Sequence, residues 1–212
     1  MKKAYVELNQ VLNMAMNDYG EPSTWNYQKS NEIVPWVQTY IEPYVKVVKS
    51  GTCPGANQQC LGMNPLQALG YDPKSNSANA SVPTYMIVKT GPDMAWGFWR
   101  HGGVYESATR IRVWVSNPPK IQFWRYKYSY VGKDVFTFYI SSSPTSKPSA
   151  RPYLLLDNKG ETNKREVILG KTNGGCNPKA AGGGYWTPGD ACSALILLDD
   201  WKISDNYPWR RN

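Results

Sequence analysis

Histidine is almost missing from this chain: His101 is the only one in 212 residues. Zinc and most transition-metal sites draw on several His or on closely spaced Cys, so such a centre has little to build from. No Gly-x-Ser-x-Gly, phosphate-binding glycine loop or His-Glu-x-x-His occurs either, which removes the common hydrolase, nucleotide and metalloprotease signatures. Lys89-Thr90-Gly91 and Ser204-Asp205-Asn206 echo penicillin-recognising hydrolases, but no Ser-x-x-Lys precedes them and their order is reversed. His101 sits between Arg100 and Gly102 in a turn-like stretch and reads as a solvated side chain rather than as part of a triad. The sequence reads as a non-enzyme. Long apolar runs are absent too, so no segment reads as a membrane span.

Acidic residues are outnumbered, 16 against 24 Lys and Arg. The resulting charge of +8 favours solubility and attracts polyanions but carries no information about fold. What is plentiful is Tyr (15), Trp (9), Gly (18) and Pro (16), a mix that favours short strands and ordered loops. Hydrophobic content of 41% marks globular material.

The four cysteines form two local groups, Cys53/Cys60 and Cys176/Cys192. With one His and no metal-ligand spacing, disulfides are the better reading, and they imply an oxidising compartment outside the cytosol. Three pairings are formally available. A loop the size of 176–192 would contribute ~3 kcal/mol in the chain-entropy model. Export needs a targeting segment, yet MKKAYVELNQ has no signal-peptide apolar region.

Residues 2–19 read as an amphipathic helix, with Ala4, Leu8, Val11, Ala15 and Tyr19 in 3–4 spacing and Leu12 and Met16 widening the stripe. Gly20 and Pro22 end it. A second helical pattern covers 31–49, capped by Asn31, with Pro35 suited to a first turn and Pro43 placed to break or kink it. Residues 50–82 read as a loop. From Pro83 the period becomes strand-like, at 84–90, 94–100, 110–116, 121–130 and 134–140, with turns between. Residues 141–192 read mostly as loop, with YLLLD and REVIL as short strands, and a final strand is expected at 194–198. Helices first and antiparallel strands after predict one α+β domain: an N-terminal amphipathic helix on an antiparallel sheet, a second helix, and long disulfide-closed loops.

Four features in this order resemble type IV pilin-like proteins, in particular the pseudopilin and minor-pilin group. The opening KKAYVELNQVLNMAMNDYG is similar to the soluble half of the long N-terminal pilin helix. GKDVFTFYI, with Gly132, Asp134, Phe136 and Phe138, is similar to a Gly-x-Asp-x-Phe-x-Phe strand of that group. A late Cys pair brackets a C-terminal loop, and CSALILLDDWKISDNYPW resembles the group's ending. The resemblance covers about residues 1–20, 83–140 and 192–209; the Asp-x-Asn-Gly turn frequent in the group is replaced by VSNPPK.

The resemblance implies a leader cut by a prepilin peptidase and an upstream apolar anchor, hence a periplasmic or extracellular head held at the inner membrane. It implies other pilin or pseudopilin subunits as partners, in a type IV pilus or type II secretion pseudopilus. Lys2, Lys3 and Glu7, on the polar side of the first helix, are the expected inter-subunit contacts. No cofactor is implied except calcium, which some pseudopilins bind in the C-terminal loop; here Asp190, Asp199, Asp200 and Asp205 are weak candidates, since residues 199 and 200 would point to opposite faces of a continuing strand. A second reading is a binding module. Arg110, Arg112, Lys120, Arg125, Lys127 and Lys133 interleave with aromatics and no acid, as in grooves that hold single-stranded nucleic acid. Alternation in 121–130, aromatics on one face and cations on the other, explains that pattern without a ligand and is favoured.

Overall fold

Ala4, Leu8, Val11, Leu12 and Ala15 form one fully buried stripe along α1 (Lys2–Tyr19), the helix that their spacing predicts. Gly20 closes it at φ 75, its N–H bonded to the Met16 carbonyl. That left-handed backbone suits a residue without Cβ. Tyr19, expected on the stripe, is instead exposed and packs edge-on against Tyr40 (centroids 5.1 Å apart). The structure is a computed structural model and describes residues 1–25, 33–53, 85–91, 94–100, 108–115, 131–133, 135–141, 150–152, 164–171, 174–180 and 188–208.

The second helix is shorter than the sequence pattern suggests. α2 covers Ile33–Tyr40, and a 3-10 turn at Glu42–Tyr44 follows it. Pro43 lacks the N–H that a further helical turn requires, so the apolar spacing beyond it is not realised as helix. Lys49, expected to end the helix, and residues 50–53, expected as loop, form strand β1 (Lys49–Cys53).

Five more strands complete the sheet: β2 (Tyr85–Lys89), β3 (Ala95–Arg100), β4 (Ala108–Trp114), β5 (Val135–Ser141) and β6 (Ala150–Pro152). They pair antiparallel in chain order, β1-β2-β3-β4-β5-β6. Four of them lie where alternation places strands; β6 falls inside a stretch read as loop. The expected strands at 121–130 and at YLLLD lie outside the described residues, as do Asn31 and most of 50–82.

Register sorts the side chains into two faces. Met86, Phe98, Ile111 and Phe138 are aligned across β2 to β5 on one of them. This face receives the helices: Tyr5 of α1 meets Phe138 at 5.9 Å and Trp36 of α2 meets Phe98 at 6.4 Å between ring centroids. Trp25 stacks on Tyr40 behind them (4.5 Å, 3° between planes). On the opposite face Gly97, Arg112 and Thr137 are aligned, and there Asp190 of the C-terminal part of the chain docks.

That part corrects two expectations. REVIL is not a strand: Arg165–Ile168 is a short helix, α3. The apolar run expected as the last strand is also a helix, α4 (Cys192–Leu198). A short apolar run does not separate the two by its period, and Ala and Leu are strong helix formers. The sheet also offers little to a further strand at β6, where the Ala150 N–H already donates to the Asn9 side chain (3.1 Å) and Pro152 has no N–H. α4 ends in a Schellman-type reversal, with the Trp201 N–H on the Ile196 carbonyl (2.7 Å). Asp200 (φ 52) and Trp201 (φ 63) are both left-handed there, uncommon for a bulky residue. The Trp201 ring is held against Tyr5 at 4.9 Å. The molecule is α+β, with α1 and α2 against one face of an antiparallel sheet and a disulfide-bonded C-terminal segment that reaches Arg112 and Thr137 on the other while sharing the apolar cluster of the helices.

Candidate assembly surface

The outward side of α1 is set by the same periodicity that buries its stripe. At about 100° per residue, Val6, Gln10, Asn13 and Asn17 fall within about 60° of one another, with Met14 beside them. All five are exposed, the two apolar ones substantially (Val6 44%, Met14 41%). Lys2 and Lys3 are exposed at the start of the helix, on the polar side that the sequence pattern gives them. Glu7 is not on this side. It lies on the flank between outer face and core, half-buried, with its Oε2 out of solvent and without a hydrogen-bond partner among the described residues.

Between Lys3 and Asp18 the helix therefore carries one charge, Glu7, and none on its outward side. Solvated helix faces are normally rich in charge. Asn is also a poor helix former, so Asn9, Asn13 and Asn17 at i, i+4, i+8 are not there for helix propensity. Asn9 is accounted for by contacts inside the molecule. Its amide donates to the Tyr5 carbonyl (2.8 Å) and its oxygen accepts from Ala150 on β6.

The charges at the two ends of α1 oppose its dipole. No side chain caps the N-terminus, the first turn has no acid, and the last turn has no base. Lys2 and Lys3 stand at the positive end and Asp18 at the negative end, the reverse of what an isolated helix prefers. Asp18 is engaged by the Tyr44 hydroxyl, which donates to its Oδ2 at 2.5 Å. That bond to a carboxylate, with smaller help from desolvation and the Asp18 charge, pushes the Tyr44 phenol up to about 12.

Behind the sheet, a buried polar cluster fixes the C-terminal segment. Arg112 Nη2 donates to Asp190 Oδ1 at 2.9 Å, and Thr137 Oγ1 donates to the same oxygen at 2.7 Å. Ser193 Oγ donates to the Thr137 carbonyl at 2.6 Å. The Arg112 and Asp190 side chains are 1% and 0% exposed. This corrects two sequence readings: Arg112 cannot present itself to a polyanion, and Asp190 is spent on a guanidinium rather than open to calcium. The Cys176–Cys192 disulfide, fully buried, closes the loop next to this pair. Backbone bonds from Gly189 to Gly175 and from Ala191 to Gly174, both 2.8 Å, run alongside it. Gly189 has φ +97, and a Cβ there would lie 2.3 Å from the Val131 carbonyl oxygen. Only glycine fits.

The pilin-like strand residues occupy connected positions. Gly132 (φ 90) makes the turn before β5, its N–H on the Val135 carbonyl (2.8 Å). Phe136 and Phe138 are buried on the helix-covered face. Tyr207 of the tail is buried and donates its hydroxyl to the Gly132 carbonyl; burial pushes its phenol well above the usual range. Asp134 lies outside the described residues.

The remaining acidic candidates are not gathered into a cation site. Asp199 faces Arg165, whose Nη1 donates to its Oδ1, while Ser204 Oγ lies 2.9 Å from its Oδ2. Arg165 Nη2 also reaches Ser204 Oγ (3.2 Å) and Asn206 Oδ1 (3.0 Å). Burial raises the Asp199 pKa, but the bonds from Arg165 and Ser204 and the Arg165 charge outweigh it and hold the carboxyl below its ordinary value. Asp200 and Asp205 are exposed; residues 199 and 200 lie at a helix end, not on a strand. Among the described residues no three His, Cys, Asp or Glu side chains come together as a metal site.

Of the six cations expected on one surface, Lys133 is half-buried in the turn after Gly132. The Arg110 side chain, Lys120, Arg125 and Lys127 lie outside the described residues, as do His101, Cys60 and the Cys53 side chain. What the sequence reading missed is the uncharged row Val6, Gln10, Asn13, Met14 and Asn17. The signal for it was present, as fourteen residues with a single ionised side chain (4–17). The Arg112–Asp190 pair, separated by 78 positions, carried none.

A family model described as a family of unknown function (DUF6613) matches residues 1–68, which contain α1, α2 and β1. No curated protein and no solved structure matches the chain. Among the described residues no helix is long and apolar enough to cross a membrane.

Proposed function

We propose that this chain is the globular head of a type IV pilin-like subunit, of a pilus or a type II secretion pseudopilus, and that it works by polymerising rather than by catalysis. The observation that carries the reading is the outward side of α1, where exposed Val6, Gln10, Asn13, Met14 and Asn17 are uninterrupted by charge. The cores of protein interfaces are depleted in charged residues and enriched in Met, and buried amides between helices set register. A buried C-terminal disulfide fits a head that works in an oxidising compartment. In this reading neighbouring subunits meet through α1 in a heterologous, helical array anchored at the inner membrane.

The test is a photo-crosslinking amino acid placed at Asn13, with Lys171 as an exposed control, in the full-length protein in cells that produce it. A ladder of multimers from Asn13 and none from Lys171 is expected. Monomer alone at both positions, in cells that display intact protein, overturns the proposal.

A further inference from the structure

The two edges of the sheet are treated differently. At β6, Ala150 and Pro152 are two residues apart and so turn their nitrogens to the same, outer side. One N–H is taken by Asn9 and the other does not exist. This edge is closed. At β1 no described residue pairs on the outer side, and β1 stands last in the strand order. The chain enters it through Lys46-Val47-Val48-Lys49, all four exposed, with Val47 at 36% and Val48 at 59%. Ser50 and Gly51 after them are half-buried.

Lysines on an edge strand are a common guard against pairing with another copy. Here they flank two exposed β-branched residues that favour strand pairing. A second copy would bring the same lysines to the same edge, like charge beside like charge, which is unfavourable across strands. An incoming strand with acidic side chains meets the opposite situation: main-chain bonds supply affinity, and Lys46 and Lys49 select for charge.

We infer that β1 is a strand-addition site for an extended, acidic segment of another protein, discriminating against self-pairing by Lys46 and Lys49. The inference does not depend on the assembly reading, because it uses the sheet edge and not α1.

The experiment uses the full 212-residue chain and a short capped peptide of alternating valine and threonine with two glutamates. Its controls are the same peptide with lysines for glutamates and a backbone N-methylated version. Amide exchange across Lys49–Cys53 is expected to slow at least about tenfold with the acidic peptide at alternate positions, the worth of one net hydrogen bond. Neither control peptide should bind, and rising salt should weaken the complex. Lys46→Glu with Lys49→Glu should lower affinity about tenfold and admit the lysine peptide. Three results overturn the inference: all β1 amides already protected in the free protein, equal binding of the N-methylated peptide, or sedimentation with phosphatidylglycerol vesicles without any peptide response.

Discussion

The two faces of the sheet are covered by different physics. On one, Phe98, Ile111 and Phe138 meet Tyr5 and Trp36 in an apolar cluster that takes in α1 and α2 and extends to α4 and the disulfide. On the other, one strand position away, Arg112 and Thr137 meet Asp190 beside a buried disulfide. Apolar contact is non-directional and roughly proportional to area, so it tolerates substitution that keeps volume. An ion pair at 1% and 0% exposure is directional, and each partner is costly without the other. The apolar contacts are thus graded and the buried ion pair close to all-or-none.

The largest way to break that contrast is Asp190→Ala. It leaves Arg112 buried without its carboxylate and should cost about 3–5 kcal/mol in equilibrium denaturation. The paired change Arg112→Leu with Asp190→Leu should recover most of the loss, because an apolar replacement of both partners is often neutral. Additive single and double variants would show that the pair does not act as a unit. Next comes the covalent tie: Cys176→Ser with Cys192→Ser should lose about 3 kcal/mol, with early proteolysis confined to the C-terminal segment. Uniform loss of protection across α1 and the sheet would mean that the two sides are not separable.

On the apolar side, Phe138→Leu should cost only about 1 kcal/mol, as near-volume-conserving core changes do. A loss as large as that of Asp190→Ala would erase the distinction. The smallest effect belongs to Asp199. Its carboxyl is held below the ordinary value of 3.8, so its stabilisation is present above that pH and is lost as pH falls through the lower folded value. With Arg165 35% exposed, the effect should stay under about 1 kcal/mol. Asp199→Asn should lower stability at neutral pH by that same small amount and leave it nearly unchanged in acid, flattening the limb of a stability–pH profile below about pH 4. An unchanged acid limb would remove Asp199 from the account.

Legibility followed the range of the interaction. α1 was readable from five core residues at helical spacing, and β2 to β5 from alternation between turns, because both signals sit within a few residues. Pro43 was readable as a break, though not how completely it ends α2. The run Ala194–Leu198 was misread because its five apolar residues fit a strand or a buried helix equally, and only the closed edge at β6 and the docking around Ser193 and Cys192 decide between them. Of the candidate surface only Lys2 and Lys3, at its N-terminal end, were visible in the sequence. Glu7 was assigned to the wrong side because a half-buried flank cannot be told from an outer face without the neighbour that covers it.

By itself the sequence determined the local pieces: the amphipathic stripe of α1, the strand period, the proline and glycine punctuation, and a cysteine pattern suited to an oxidised loop. Only the tertiary structure decided that Arg112 is an internal counter-charge rather than a binding residue, that the last apolar run is a helix, and that the Asn9 side chain and Pro152 close the sheet edge at β6. The reason is that period and propensity act over neighbouring residues, whereas the environment of a charge or of an edge N–H is made by whatever part of the chain folds against it.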